Sequence, residues 1–366
     1  MYQNPPRFPP VPTPHEMPRS PRRRLARLIP LLTLFALMFF GSTYVFSPEP
    51  TIEIQPGFAF AEVEGREVVL VPYERHGGRG MFQLLAQDVF QVRLAAADPA
   101  TGEVLWDTQL SDQLIWEASV LAAGQRYAYL ATDSGLVVAE LADGSVVAEG
   151  DGVRGLGGTY VAARSAYAYD PESRRVLAMN ATGDVLAIGL DQTVAARVDA
   201  PTATAWSVRL STKPSTAVPS EVTAVEAVLN PGSGERITLR KLPFGIPGSE
   251  LVRLPPNGWP MPVGGTAFHN GRFVVSGGTV AGAATGHVLV EHRRSLNDAG
   301  ATLSVVSLDT GQVTSSLAIE SQVGHAVTNS EGTTVAVAGQ TLAVANGDGR
   351  IVRIDIGATD FFGSPR

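Results

Sequence analysis

The chain has 366 residues, no cysteine and a formal net charge of −7, but six of its 28 Lys and Arg precede residue 28, where the sole acid is Glu16. The part beyond residue 46 therefore carries 22 bases against 34 acids, a net of −12, and such a surface repels nucleic acid and anionic headgroups. The missing cysteines exclude a disulfide framework and a lipidated-cysteine anchor, and about 320 remaining residues can bury a core large enough to need no staples.

Residues 1–27 hold eight prolines and six arginines. So many prolines with so few apolar residues cannot nucleate a core, which predicts a disordered cytoplasmic tail; a proline-motif docking segment and a lipid-surface patch are the alternative readings. Next comes LIPLLTLFALMFFGSTYVF, residues 28–46, without a charge. As a helix it spans about 28 Å, close to a hydrocarbon core of about 30 Å. Pro30 is expected in its first turn, where a missing N–H costs little. The segment reads as an uncleaved transmembrane anchor rather than a signal peptide. It is long, its charged leader is extended, and Gly41-Ser42-Thr43 makes a poor cleavage site. Arg19, Arg22, Arg23, Arg24 and Arg27 precede it, and no Lys or Arg follows until Arg66. The positive-inside rule then expects a single-pass protein of the plasma (inner) membrane, with a cytoplasmic N-terminus and residues 47–366 outside.

The exterior part shows short strand-like runs bounded by Gly, Asn and Asp, and no sustained helical period. Examples are EVVLVPY (67–73), YAYLAT (127–132), GLVVAEL (135–141), TLSVVSL (302–308) and TTVAVAG (333–339). Several are apolar on both faces, as in Leu136-Val137-Val138-Ala139, which places the strand between two other sheets. One hairpin word recurs: an apolar run, an Asp/Asn-Gly turn, then a second run. It stands at DPATGEVLW (98–106), LADGSVV (141–147), MNATGDVLAIGL (179–190), SLDTGQVTSSLAI (307–319) and ANGDGRIVRIDI (345–356). Its spacing fits blades of roughly 40–50 residues, hence an all-β fold, a β-propeller of about six to eight four-stranded blades preceded by one transmembrane helix. Blades are expected near 58–110, 113–150, 155–200, 204–242, 264–320 and 322–357, with room for a seventh in the irregular middle. The strand near 51–64 is expected to complete the last blade and close the ring.

Two stretches interrupt the pattern. RHGGRGMFQLLAQD (75–88) reads as a loop inserted in the first blade. Residues 229–262 contain seven prolines and read as an extended covering loop, in which Phe244 and Trp259 form either a lid on the propeller or a partner-binding patch.

LAAADPATGEVLW (94–106) resembles the repeat of pyrroloquinoline-quinone-type propellers, in which Asp, Thr-Gly, a branched pair and Trp close the outer hairpin. The resemblance implies that Trp106 docks one blade on the next. The family includes quinoprotein dehydrogenases and non-enzymatic members that bind partner proteins. The dehydrogenases hold their quinone against a tryptophan and a vicinal disulfide, beside a Ca²⁺ held by carboxylate and amide oxygens. This chain has no cysteine, and Trp116, Trp206 and Trp259 stand without a neighbouring acid or amide constellation in sequence. The resemblance therefore points to the non-enzymatic branch.

Other chemistry is sparse. His269, His287, His292 and His325 are spread over strands and turns, and His287 and His292 would point to opposite faces of one strand. RGLGGTY (154–160) and SGGTVAGAATG (276–286) read as turns rather than phosphate or dinucleotide loops. Arg75, His76 and Arg79 form one basic cluster, either a grip for an anion or a solvated loop. No catalytic, cofactor-binding or metal-binding residue and no cofactor is assigned. The expected role is a scaffold or sensor that binds envelope or membrane proteins, held in the lipid bilayer by residues 28–46, without nucleic acid. The alternative is a propeller enzyme or small-ligand binder with its site at the mouth of the central channel.

Overall fold

The computed structural model describes residues 21–86, 88–111, 114–213, 221–243 and 245–362. Most of the proline-rich tail (1–20) and Phe244 lie outside the described residues. Helix α1 (Pro21–Phe46) begins ahead of the apolar span, so Pro30 sits in the helix interior and not in its first turn. The span Leu28–Phe46 has a mean hydropathy of 1.9, and among its described residues none is buried. Among the described residues it is the one helix long and apolar enough to cross a membrane.

Beyond α1 the chain is mostly β, folded as successive antiparallel meanders. The first sheet (51–109) joins Thr51–Ile54, Arg66–His76, Phe90–Ala97 and Val104–Gln109, with Ala59–Val63 also on Arg66–His76. The second (118–149), third (167–197) and sixth (325–354) have four strands each in chain order. The fourth (226–262) and fifth (269–319) are joined edge to edge by Thr279–Val280, which pairs with both, into one ten-stranded sheet.

The recurring hairpin word folds as its chemistry requires. At Asp98 the carboxylate accepts from the Ala100 and Thr101 N–H groups (2.7 and 3.3 Å), and Gly102 closes the turn at φ 79°. Asn180 makes the same turn with Thr182 and Asp184, and the Ser307 hydroxyl does so with Asp309 and Thr310. An Asx turn holds the corner, and a glycine takes the left-handed residue that a side chain resists.

Strands buried on both faces lie between two sheets, as their sequence requires. Leu136 and Val138 face the third sheet, whereas Val137 and Ala139 of the same strand face the first. In the fifth sheet Leu289 packs on the sixth, while Val288 and Val290 pack on the fourth. Val69 and Val71 of the first sheet meet Val335, Val337, Leu342 and Val344 of the sixth, so the two ends of the β region close on each other. Five apolar clusters thus join six sheets in the order third, second, first, sixth, fifth, fourth. Among the described residues no such cluster joins the third sheet to the fourth; α3 (Ala200–Ser207) lies between them in sequence.

Three expectations need correction. Residues 51–64 do not complete the last sheet: Ala59–Val63 turns back through Glu64 and Gly65 (φ 52° and 78°) to pair with Arg66–His76. A two-residue turn with both φ positive matches strand twist, and this local hairpin wins over a distant pairing. The proline-rich span 229–262 is not a covering loop, because it supplies most of the fourth sheet through Glu235–Lys241, Ser249–Leu254 and Met261–Pro262. Its prolines fall in turns or on the outermost strand, where no ladder N–H is needed, and Ile237, Leu239 and Leu251 fill the core. The insertion 75–88 is indeed within the first sheet, but its centre is a helix, α2 (Gly80–Ala86).

Candidate functional site

Trp106 is placed as the resemblance implied. It leaves the outermost strand of the first sheet and lays its ring on Gly144, in the last turn of the second sheet. Its indole N–H donates to the Leu141 carbonyl at 2.8 Å. Trp206 belongs to α3, against the second and third sheets, with the Arg209 guanidinium 4.9 Å from its ring centre. Trp116 packs on Phe90 (4.7 Å between ring centres) and stays 54% exposed. Trp259 is 89% exposed at the turn between Ser249–Leu254 and Met261–Pro262. It does not pack down as a lid.

His287 and His292 lie on opposite faces, whereas His269 pairs across the ladder with Arg293 and stands near His292. His287 lies beside Gly349 of the sixth sheet, whereas His292 stacks edge-on to Phe268 on the opposite face, 5.2 Å between ring centres. His292 is fixed between the Ser304 hydroxyl and the Arg293 carbonyl (both 2.9 Å), and burial holds its pKa below the ordinary imidazole value. Burial lowers His325 likewise.

The basic cluster 75–79 is neither a solvated loop nor an open anion grip. Arg75 is buried, donating to the Gln83 amide oxygen (3.0 Å) and the Thr359 hydroxyl (3.3 Å), and burial pushes its pKa down. Arg79 pairs with the Glu49 carboxylate and covers the Tyr44 ring at 4.5 Å. His76 bonds Glu74 at 3.1 Å. With Glu53 these two residues make the one grouping among the described residues whose ligand atoms could share a cation, but Glu74 already accepts from Gln55 at 2.7 Å.

Beside Arg75, on the face toward the sixth sheet, lies a buried ionic network. Asp107 accepts from Arg93 Nε at 2.8 Å and from the Tyr73 hydroxyl at 2.5 Å, and Arg93 also reaches Gln91 at 2.9 Å. Burial and then the Asp107 charge drive the Tyr73 pKa far upward. Burial, the largest single influence, would lower that of Arg93, but the charge of Asp107, that of Tyr73 and their hydrogen bonds together turn the net shift upward. The sequence held a signal for this network: Arg93 and Asp107 are the charged residues of the strand runs FQVRLAAA and VLWDTQ. Their pairing was illegible because it depends on register across two strands.

A cleft of about 750 Å³ opens between the fourth and fifth sheets. The glycine-rich stretch 276–286 forms one wall, and Asn230, Glu235, Arg253, Asp309 and Asn329 supply its polar groups. Arg253 is held by Glu235 at 2.8 Å. Asn329 at the rim donates to Glu67, whose pKa burial raises against that hydrogen bond. Among the described residues the lining includes no histidine or cysteine, and its polar groups are amides, hydroxyls, carboxylates and the Arg253 guanidinium.

No family model matches the chain, and no curated protein matches it. Among solved structures it is similar to the apo isopeptidase AtxE2, with 12% identity over 87% of this chain and a TM-score of 0.41. The match spans 56% of that chain, little more than half its length. BamB from Moraxella catarrhalis is 12% identical over 85% of this chain and 84% of its own, with a TM-score of 0.23. An oligogalacturonate lyase in complex with manganese is 9% identical over 85% and 87%, with a TM-score of 0.25. Likeness at this level assigns no activity and no ligand.

Proposed function

We propose that the protein is a membrane-tethered, extracytoplasmic six-bladed β-propeller that serves as a binding scaffold for envelope or membrane proteins. In this reading each sheet is a blade, and α3 stands in sequence at the seam between the third and the fourth. The apolar span Leu28–Phe46 is the tether, and the arginines before it keep the N-terminus in the cytoplasm. The observation that carries the binding role is Trp259. A large aromatic held 89% exposed on a rigid sheet, at a turn bounded by Pro255, Pro256 and Pro260, has the character of a contact anchor. Met261 beside it is exposed too.

A photo-crosslinking residue at position 259 of the full chain in its native membrane tests this. It should give a discrete protein adduct that the same residue at Val208, a similarly exposed site at the C-terminal end of α3, does not. Identical patterns at both positions would sink the reading. A reporter fused after Arg366 should be active only outside the cytoplasm; activity inside would overturn the topology. The cleft beside Asn329 favours a second reading, a small polar ligand. It would be preferred if Asn329→Leu, and not Trp259→Ala, abolished function in the cell.

A further inference from the structure

The strands Thr51–Ile54, Arg66–His76 and Phe90–Ala97 have their Thr51, His76 and Phe90 ends together. This is the end to which α1 is attached, five residues before Thr51. Several elements converge there. Gly80 opens α2 against Tyr44, so closely that a Cβ would lie 2.7 Å from the Tyr44 Cα. Phe82 packs edge-on to Phe40 and stacks on Phe361 at 5.5 Å. The Tyr44 hydroxyl donates to the Thr359 carbonyl at 3.2 Å. Gln83, the polar residue of α2, turns inward to Arg75 and to the Asp360 carbonyl at 2.7 Å. Every outward residue of α2 is then apolar, and Leu85 is 72% exposed.

Between α1 and α2 runs a groove of about 580 Å³ lined by Ala36, Leu37, Phe40, Phe82, Leu85 and Phe361. Leu37 is nine residues before Phe46, about 14 Å of helix rise, so the groove lies alongside a part of α1 that belongs in hydrocarbon if α1 spans the bilayer. On the same end of the first sheet, Val89 and Trp116 stand exposed around Phe90, and Leu114 is 63% exposed. Trp in such a setting fits a membrane–water interface.

We infer that this end of the β domain is itself a lipid-contacting surface: α2 and Phe361–Phe362 enter the outer leaflet beside α1, and the patch of Val89, Leu114 and Trp116 rests on it. The occupant is a bilayer because the surface is continuous with the apolar face of α1, which α2 and Phe361 meet around Phe40 and Tyr44 and which is exposed over most of its remaining length among the described residues. Glu49 and Glu117 at its border are paired with Arg79 and Arg164, so the border carries little net charge to select anionic headgroups. The inference rests on α1 being a membrane span. Its consequence is that the domain is docked at fixed tilt, not swinging on a free tether.

The native chain has no cysteine, so single spin labels report depth directly. Leu34→Cys, Leu85→Cys, Leu114→Cys and Val208→Cys are made in the full chain, all at exposed positions, and reconstituted in phosphatidylcholine vesicles. Accessibility to oxygen relative to a water-soluble nickel chelate is then read at each. The expected result is a lipid-like ratio at positions 34, 85 and 114 and an aqueous ratio at 208. A lipid-like ratio at 34 with aqueous ratios at 85 and 114 overturns the inference and leaves the anchor standing. Aqueous ratios at 34 as well overturn both. A lipid-like ratio at 85 with an aqueous one at 114 overturns the patch and leaves it free for a protein. Quenching of unlabelled protein by brominated lipid, lost in Trp116→Phe, checks the patch without a label; no loss counts against it.

Discussion

A Cβ on Gly144 would lie 2.5 Å from Cε3 of Trp106, so at this contact between the first and second sheets a ring is laid on a bare backbone. The contact recurs without the tryptophan. Gly102 sits against Arg353 of the sixth sheet, Gly311 against Val263 of the fourth, and Gly349 against Thr314 of the fifth, whose hydroxyl donates to the Gly349 carbonyl at 2.7 Å. In each case the turn glycine of one sheet meets the outer edge of its neighbour. Gly183 of the third sheet meets nothing within 4 Å.

Trp106→Ala should therefore cost on the order of 3 kcal/mol, as other large-to-small changes at packed sites do. Gly144→Ala should cost about 1–3 kcal/mol, because the methyl overpacks the ring and Gly144 has φ 76°. Denaturant melts of the two single variants and the double variant check the pairing: the glycine change should cost less once the ring is gone. Additive losses would mean that the two residues do not share one contact.

Much of this was legible in the sequence, for reasons that also explain the failures. The Asp98–Gly102 turn and the Leu136–Ala139 run are local patterns, so turn chemistry and strand burial followed from adjacent residues. The blade expected near 204–242 overlaps Glu226–Asn230 and Glu235–Lys241 of the fourth sheet, but Ser249–Leu254 and Met261–Pro262 are hidden by proline density, although prolines at sheet turns leave the ladder intact. The destination of 51–64 was misjudged because strand pattern does not name its partner; the positive φ of Glu64 and Gly65 decided it. Arg75 is buried against Thr359, at the far end of the chain, and the Tyr73–Arg93–Asp107 network depends on the register of three consecutive strands, so no spacing rule reaches either.

The Arg93–Asp107 pair is nearly enclosed, so removing one partner strands a charge in a low-dielectric site. Asp107→Leu should destabilise the protein by about 3–5 kcal/mol, and Arg93→Met by a similar amount. The double variant should recover part of that loss, because no unpaired charge remains. Equal losses in all three would show that the hydrogen bonds of Tyr73 and Gln91, and not the ion pair, hold this seam.

His292 and His325 are both held by burial below the ordinary imidazole value near 6.5. The folded state therefore binds protons less readily than the unfolded state. Their contribution is complete above about pH 6.5 and is lost as pH falls through the folded values. Glu291, whose pKa burial raises, works in the opposite sense: its contribution is complete at low pH and lost as pH rises through its folded value. The histidine part is isolated by comparing Tm from pH 7.5 to 5 in the native chain and in His292→Gln/His325→Gln. The native chain should lose more on acidification than the variant; parallel curves would remove these histidines from the account.

Two deletions separate the fourth sheet from its exposed turn. Removing 241–262 takes out Ser249–Leu254 and Met261–Pro262, and with them Leu251 and Val252, which are fully buried or nearly so. Ile237 and Leu239 would lose their covering strand, and Phe268 and Phe273 on the fifth sheet would lose part of their packing. That chain should fail to give a cooperative melt. Replacing only 255–260 by Asn-Gly removes the exposed Trp259 and three prolines but keeps the Val252–Pro262 pairing within reach of a tight turn. This second chain should melt within a few degrees of the native one, while the partner adduct formed near the turn is lost. A cooperative, native-like melt after the larger deletion would mean that 241–262 is an appendage, and that the fifth sheet ends the packed series on its own.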